Sequence, residues 1–201
     1  MYRKFNPKFR SEVLTIFAGE IYISTKKEII STVLGSCISV CLYDSSAGIG
    51  GMNHFMLPED TGNRGRLYTQ DLLKKEELTG KAMRYGITAM EVLIGEMQKS
   101  GAKRKNFKAK IFGGGNVLVK KLPGQSIGDK NIGFARAFLK LEEIEIEGEN
   151  VGNNYGRKIF FLTGQNKIFV KKVDIEPAIT EERKYMEKLL ELRKQGDVTV
   201  F

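Results

Sequence analysis

One histidine and two cysteines are all that 201 residues contain of those types, and the scarcity narrows the possible chemistry. Any thiol–imidazole reaction must use His54, because no second imidazole exists to replace it. A papain-like order, with its histidine more than about a hundred residues after the cysteine, is excluded. Cys37 and Cys41 lie four positions apart on one expected strand. Their Cα atoms would be roughly 13 Å apart, beyond disulfide reach, which fits a reducing compartment. No apolar run of secretory or membrane length follows the charged start Met1-Tyr2-Arg3-Lys4, so a cytoplasmic protein without membrane insertion is expected. Internal repeats and low-complexity stretches are absent. The glycine run Gly113–Gly115 lacks a following Gly-Lys-Ser/Thr, which weakens a phosphate-cradle reading. Close backbone approach explains it better.

The composition, 41% hydrophobic and 28% charged, is that of a globular protein with one core. The net charge of +9 admits three readings. Lys103-Arg104-Lys105, Lys108 and Lys110 could meet nucleic acid, yet no aromatic stacking pattern accompanies them. They could form a solvated basic surface. Or they could steer the protein toward an acidic partner.

The most informative stretch is Ser31 to Pro58. Ile38–Tyr43 and Met52–Leu57 read as strands, and Asp44–Gly48 between them has turn composition. Folding about Ser46 leaves Cys37 and His54 within one residue of being opposite, although a bulge at Gly50-Gly51 could shift the register. Directly paired residues are roughly 4.5–5.5 Å apart. An imidazole there can stabilise a thiolate, protonate a leaving group and activate water. The Gly35-Ser36 turn could aim backbone N–H groups at an oxyanion beside the sulfur. A hydroxyl of Ser31 or Thr32 could fix the ring from its far side. Cys41 reads as core.

These residues carry a resemblance. Leu34-Gly35-Ser36-Cys37, Val40-Cys41-Leu42-Tyr43-Asp44 and Gly51-Met52-Asn53-His54-Phe55-Met56-Leu57-Pro58 resemble the signature of the chemoreceptor glutamine deamidase family, CheD. Lys110–Gly114 and Ser126–Asn131 resemble its later blocks, so the likeness runs over about residues 13–172. The resemblance implies a protein-glutamine glutaminase that converts receptor glutamines to glutamate, with some members also hydrolysing receptor methyl esters, through a Cys-His-Thr triad. It assigns Cys37 as nucleophile and His54 as base. The third position, six residues before the cysteine, is Ser31, with Thr32 beside it as the other choice. Ser36 and Gly35 would form the oxyanion wall, Gly113 and Gly114 would lie near the pair, and Asn53 would be adjacent to substrate. No metal or organic cofactor is implied. The implied partners are methyl-accepting chemoreceptors and a CheC-type phosphatase.

The remaining chain reads as an α+β sandwich, with mixed, mostly antiparallel sheets in the centre and two or three helices outside. Residues 1–12 look like a loose basic tail, 13–175 a single catalytic domain and 176–201 a helical extension. Tyr85–Lys99 has a helical apolar stripe of Ile87, Met90, Leu93, Ile94 and Met97, stopped by Ser100-Gly101. Ser126 and Asp129 form a capping signature for a second helix, with Ile132, Ala135, Phe138 and Leu139 buried. Glu59–Arg66 reads as a loop at the site's rim, and Leu72, Leu73 and Leu78 suggest a short helical piece. Two alternatives to an enzyme stand beside it: a non-catalytic partner of chemotaxis proteins on the same fold, and a basic nucleic-acid-binding module.

Overall fold

β-branched and aromatic runs separated by turns give ten strands in the computed structural model, which describes residues 1–57, 81–116, 126–174 and Thr180. In chain order they are β1 (Tyr2–Asn6), β2 (Ser11–Thr15), β3 (Ile21–Ser24), β4 (Ile29–Leu34), β5 (Ile38–Asp44), β6 (Ile49–Asn53), β7 (Phe107–Gly113), β8 (Glu145–Val151), β9 (Gly156–Leu162) and β10 (Lys167–Val173). Helix α1 spans Lys81–Lys99 and α2 spans Ile127–Leu141. The strands form two five-stranded sheets, ordered β1-β2-β4-β9-β10 and β3-β6-β5-β7-β8. Pairing is antiparallel except for β2–β4 and β7–β8. The sheets are therefore mixed and mostly antiparallel, as the α+β reading expected.

The layering follows from strand alternation. Every residue of β5 is buried. Ile38, Val40 and Leu42 join a cluster with Met90, Leu93 and Met97 of α1 and Phe134, Ala135 and Phe138 of α2. Cys41 and Tyr43 join the opposite cluster, which holds Leu14, Ile30, Leu34, Ile159 and Phe161 of the first sheet. The second sheet is thus the middle layer, with the first sheet on one face and both described helices on the other. The expected α+β arrangement of mixed sheets with helices packed outside is present, with both described helices on one side and the first sheet as the layer opposite them.

Two local expectations hold at the helix ends. Ser126 and Asp129 make a reciprocal capping box, the Ser126 Oγ accepting from the Asp129 N–H at 2.9 Å. Ile132, Ala135, Phe138 and Leu139 are buried. Helix α1 stops at Gly101, where φ is +101° and the Ala102 N–H reaches back to the Met97 carbonyl. The loose-tail reading of residues 1–12 is corrected: Tyr2–Asn6 pairs with β2, and Arg3 clips that edge to Glu28 at 2.7 Å and Tyr22 at 2.9 Å. The rim loop Glu59–Arg66, the piece around Leu72 and most of the 176–201 extension lie outside the described residues.

Candidate active site

The chain crosses from the first sheet to the second between Leu34 and Ile38, and Cys37 is on that crossing. Ile38 exchanges both backbone hydrogen bonds with Phe55, at 2.9 and 3.0 Å, and further along Cys41 pairs with Met52. This register puts Cys37 opposite Met56 and makes His54 its diagonal neighbour on the same face. Sequence alone places the two within one residue of being opposite and leaves their face open; the observed Ser45–Gly48 loop sets the register that puts them on one face.

His54 is held by its backbone. Its N–H donates to the Glu20 carbonyl at 3.0 Å and its carbonyl accepts from the Gly19 N–H at 2.7 Å. Its face of the second sheet looks at the first, so the ring meets Thr32, which shares the inward side of β4 with Ile30 and Leu34. The Thr32 Oγ1 lies 2.7 Å from the His54 Nδ1 and itself donates to the Ile16 carbonyl at 2.8 Å. Its one proton being committed, the hydroxyl oxygen accepts from Nδ1–H, which leaves Nε2 as the bare lone pair. Nε2 is buried and has no hydrogen-bond partner. Burial pushes the ring's pKa from its usual 6.5 down to about 3, so the imidazole rests neutral rather than as half of an ion pair.

Ser31 points the other way. Its Oγ is buried with no hydrogen-bond partner, on the outward face of β4 between Thr15 and Phe160. Removing a hydroxyl that makes no bond should not weaken the fold. Ser31→Ala is expected to be neutral or to stabilise by up to about 1 kcal/mol in chemical denaturation.

The turn carrying the thiol is gripped from three sides. The carbonyls of Gly35 and Cys37 accept from the N–H groups of Gly115 and Gly114, both at 2.7 Å. The Ser36 carbonyl accepts from the Asn131 Nδ2 at 2.7 Å, and the Asn131 Oδ1 accepts from the Leu57 N–H at 2.9 Å. Asn131, fully buried on α2, therefore ties the turn carrying Cys37 to the segment that follows His54. It fell inside a family-like block, but nothing in its spacing announced that role. Gly113 has φ +112°, and a Cβ there would lie 2.1 Å from the Cys37 carbonyl oxygen. Gly113→Ala is expected to destabilise by about 3 kcal/mol or more, read as a lowered unfolding midpoint, since neither the φ nor the backbone contact can relax cheaply.

Asn53, expected beside the substrate, has its side-chain amide bonded to the scaffold. Its Oδ1 accepts from the Val40 N–H at 2.9 Å and its Nδ2 donates to the Ala89 carbonyl at 3.2 Å, closing the β5–β6 ladder against α1. Cys41 is wholly buried and burial pushes its thiol up, consistent with core. Cys37 and His54 are also buried, at 0% and 2% exposure. Among the described residues no cluster of acidic, histidine or cysteine side chains could hold a metal.

The comparisons with known proteins bear on the same residues. The family model described as CheD chemotactic sensory transduction matches residues 56–172, starting just after His54. Full-length relatives cover the Cys37–His54 stretch as well. A protein of Dechloromonas aromatica named "Probable chemoreceptor glutamine deamidase CheD 1" is 38% identical over 99% of this chain and 94% of its own length. Proteins of Methylobacillus flagellatus and Hahella chejuensis carry the corresponding name. They are 40% and 41% identical, over 98% and 92% of this chain and 93% and 83% of their own lengths. With a family match over more than half its length and relatives this similar from end to end, the chain belongs to the CheD family.

Proposed function

We propose that this protein deamidates glutamine side chains of methyl-accepting chemoreceptors, with Cys37 as nucleophile, His54 as general base and acid, and Thr32 as the residue that orients the ring. The observation that carries this reading is the Thr32–His54 hydrogen bond, which leaves Nε2 as the lone pair on the ring of a histidine that shares a sheet face with Cys37. As the sulfur attacks the carboxamide carbon, Nε2 takes the thiol proton. It then gives that proton to the departing nitrogen, releasing ammonia and leaving a thioester. Nε2 next accepts a proton from water, the hydroxide attacks the thioester, and the carboxylate forms as the thiol is restored. A receptor methyl ester would react through the same thioester, releasing methanol.

Geometry also supports an oxyanion site at Ser36 and Cys37. The carbonyls of Gly35 and Ser36 point at Gly115 and Asn131. In trans peptides the N–H groups of Ser36 and Cys37 each point away from the carbonyl of the same peptide. Gly113 and Gly114 wall the turn from behind.

The test is mass spectrometry of a receptor cytoplasmic fragment incubated with the protein. Each target glutamine should gain about one mass unit, the difference between an amide and an acid, and Cys37→Ala should produce none. An unchanged fragment mass with the intact protein would remove the enzyme reading. Thr32→Val is expected to lower the rate about 10- to 100-fold, whereas Ser31→Ala leaves it within about twofold.

The burial of both reactive groups favours a second reading, a docking protein whose site no longer turns over. In that case Cys37→Ala would bind receptor as the native chain does, and neither would change its mass. The implied CheC-type phosphatase would compete for the same surface, and the compartment would be the cytoplasm. Among the described residues no helix is long and apolar enough to cross a membrane. A nucleic-acid role loses support because part of the basic cluster has partners within the chain: Arg104 pairs with Glu142, Lys108 with Glu147, and Lys110 donates to the Asn166 carbonyl.

A further inference from the structure

We propose that Arg157 is a positioning residue of this site, a fixed cation beneath the Gly35–Cys37 turn that favours negative charge on the reacting sulfur. The inference rests on the assignment of Cys37 as nucleophile. Arg157 is fully buried on β9, where its Cα pairs with Leu34, the residue before the turn. Its Nη1 donates at 2.5 Å to the carbonyl of Gly113, which pairs with Ile38, the residue after the turn. Arg157 thus spans the turn, its backbone beside one end and its guanidinium bonded next to the other, and Gly113 is the glycine pressed against the Cys37 carbonyl. Nη2 donates to the Gly152 carbonyl at 2.6 Å, and Nε is buried with no partner.

No carboxylate pairs with Arg157 among the described residues. Tyr155 meets it as well, by a side-chain hydrogen bond and with its ring 4.9 Å from the guanidinium carbon, and the Lys172 ammonium approaches the same ring at 4.5 Å. A buried guanidinium without an anion is costly, and a neutral donor could hold two carbonyls as well. The negative charge it lacks is what the reaction makes at Cys37, first on sulfur and then on the tetrahedral oxygen. A cation fixed in advance stabilises that charge without reorganisation. Among the described residues, His54, which is neutral, and Cys41 share the sulfur's side of the sheet. Lys110 of β7 acts on Cys41. Lys172 is exposed, so salt screens it and spares Arg157.

The experiment titrates the Cys37 thiol by its ultraviolet thiolate absorbance in the full chain carrying Cys41→Ala, with a Cys37→Ser protein subtracted. Arg157→Gln should raise the midpoint by about one pH unit, in low and high salt alike, and Arg157→Lys should leave it within about half a unit of the parent. Deamidation by Arg157→Gln should fall about tenfold in kcat with KM unchanged. Equal midpoints in the parent and a cooperatively unfolding Arg157→Gln protein would make Arg157 a mere strut. Should Arg157→Gln not fold, a midpoint raised by about one unit in Arg157→Lys, which keeps the charge, would overturn the proposal. The titration needs no receptor, so a parent protein that fails to deamidate would sink the functional reading and leave this measurement intact.

Discussion

His54→Ala is expected to lower deamidation of a receptor fragment by at least about a thousandfold while leaving cooperative thermal unfolding in place. The size follows from the number of steps that pass through one nitrogen. In the proposed mechanism Nε2 accepts the thiol proton, delivers it to the leaving nitrogen and then activates water, and general acid–base assistance typically contributes about 10²–10⁴. The chain has no second histidine to take over. The fold survives because the position is set by backbone bonds to Gly19 and Glu20, which alanine retains, and because the lost side chain leaves behind only the Thr32 hydroxyl, still bonded to Ile16. Turnover within about tenfold of the native rate, on the same receptor fragment, would remove His54 from the mechanism. Added imidazole offers a check on the assignment: partial recovery in His54→Ala, and none in Cys37→Ala, is the pattern expected of a missing base beside an intact nucleophile.

The parts of this site that could be read beforehand are those with local signatures. Turn composition at Asp44–Gly48 brings Cys37 and His54 close, but folding about Ser46 is one residue off the observed register, and one residue decides whether they share a face. The Ser126–Asp129 cap and the stripe on α1 are likewise local patterns. The choice between Ser31 and Thr32 was illegible for a physical reason. Strand β4 is covered on both sides, with Ile29 and Val33 flanking Ser31 and Ile30 and Leu34 flanking Thr32, so alternation of apolar residues names neither face. Only the approach of the second sheet decides it. Asn131 and Arg157 were illegible for another reason. Each is a single polar residue whose partners include backbone groups far away along the chain, and a backbone group has no sequence identity. The strand at Tyr2–Asn6 was hidden by its own charge: Arg3 and Lys4 suggest a solvated tail, while the structure pairs that stretch with β2 and joins Arg3 to Glu28.

The resting charge of the site has a measurable sign. Buried beneath the first sheet, His54 binds its proton only near pH 3 in the folded chain, against its usual 6.5. Between those values the unfolded chain holds one proton more than the folded one, so stability rises with pH in that window and is lost as the solution is acidified. The native protein should therefore lose about 1.4 kcal/mol per pH unit relative to His54→Ala as the pH falls below 6.5, a difference that cancels the carboxylates common to both chains. Urea unfolding of the two proteins at matched pH gives the slope. A thiolate–imidazolium pair would have the opposite behaviour: its histidine would titrate above 6.5 in the folded state, and the histidine's contribution would decline as pH rises through that higher value. The kinetics should agree with the equilibrium, kcat/KM showing no acid limb near pH 6.5 because the base is already deprotonated well below it. A flat or negative slope in the stability difference between pH 4 and 6, about the middle of the window, would show that the ring carries a proton at rest, and the chemistry would then start from an ion pair instead of a neutral thiol and a neutral base.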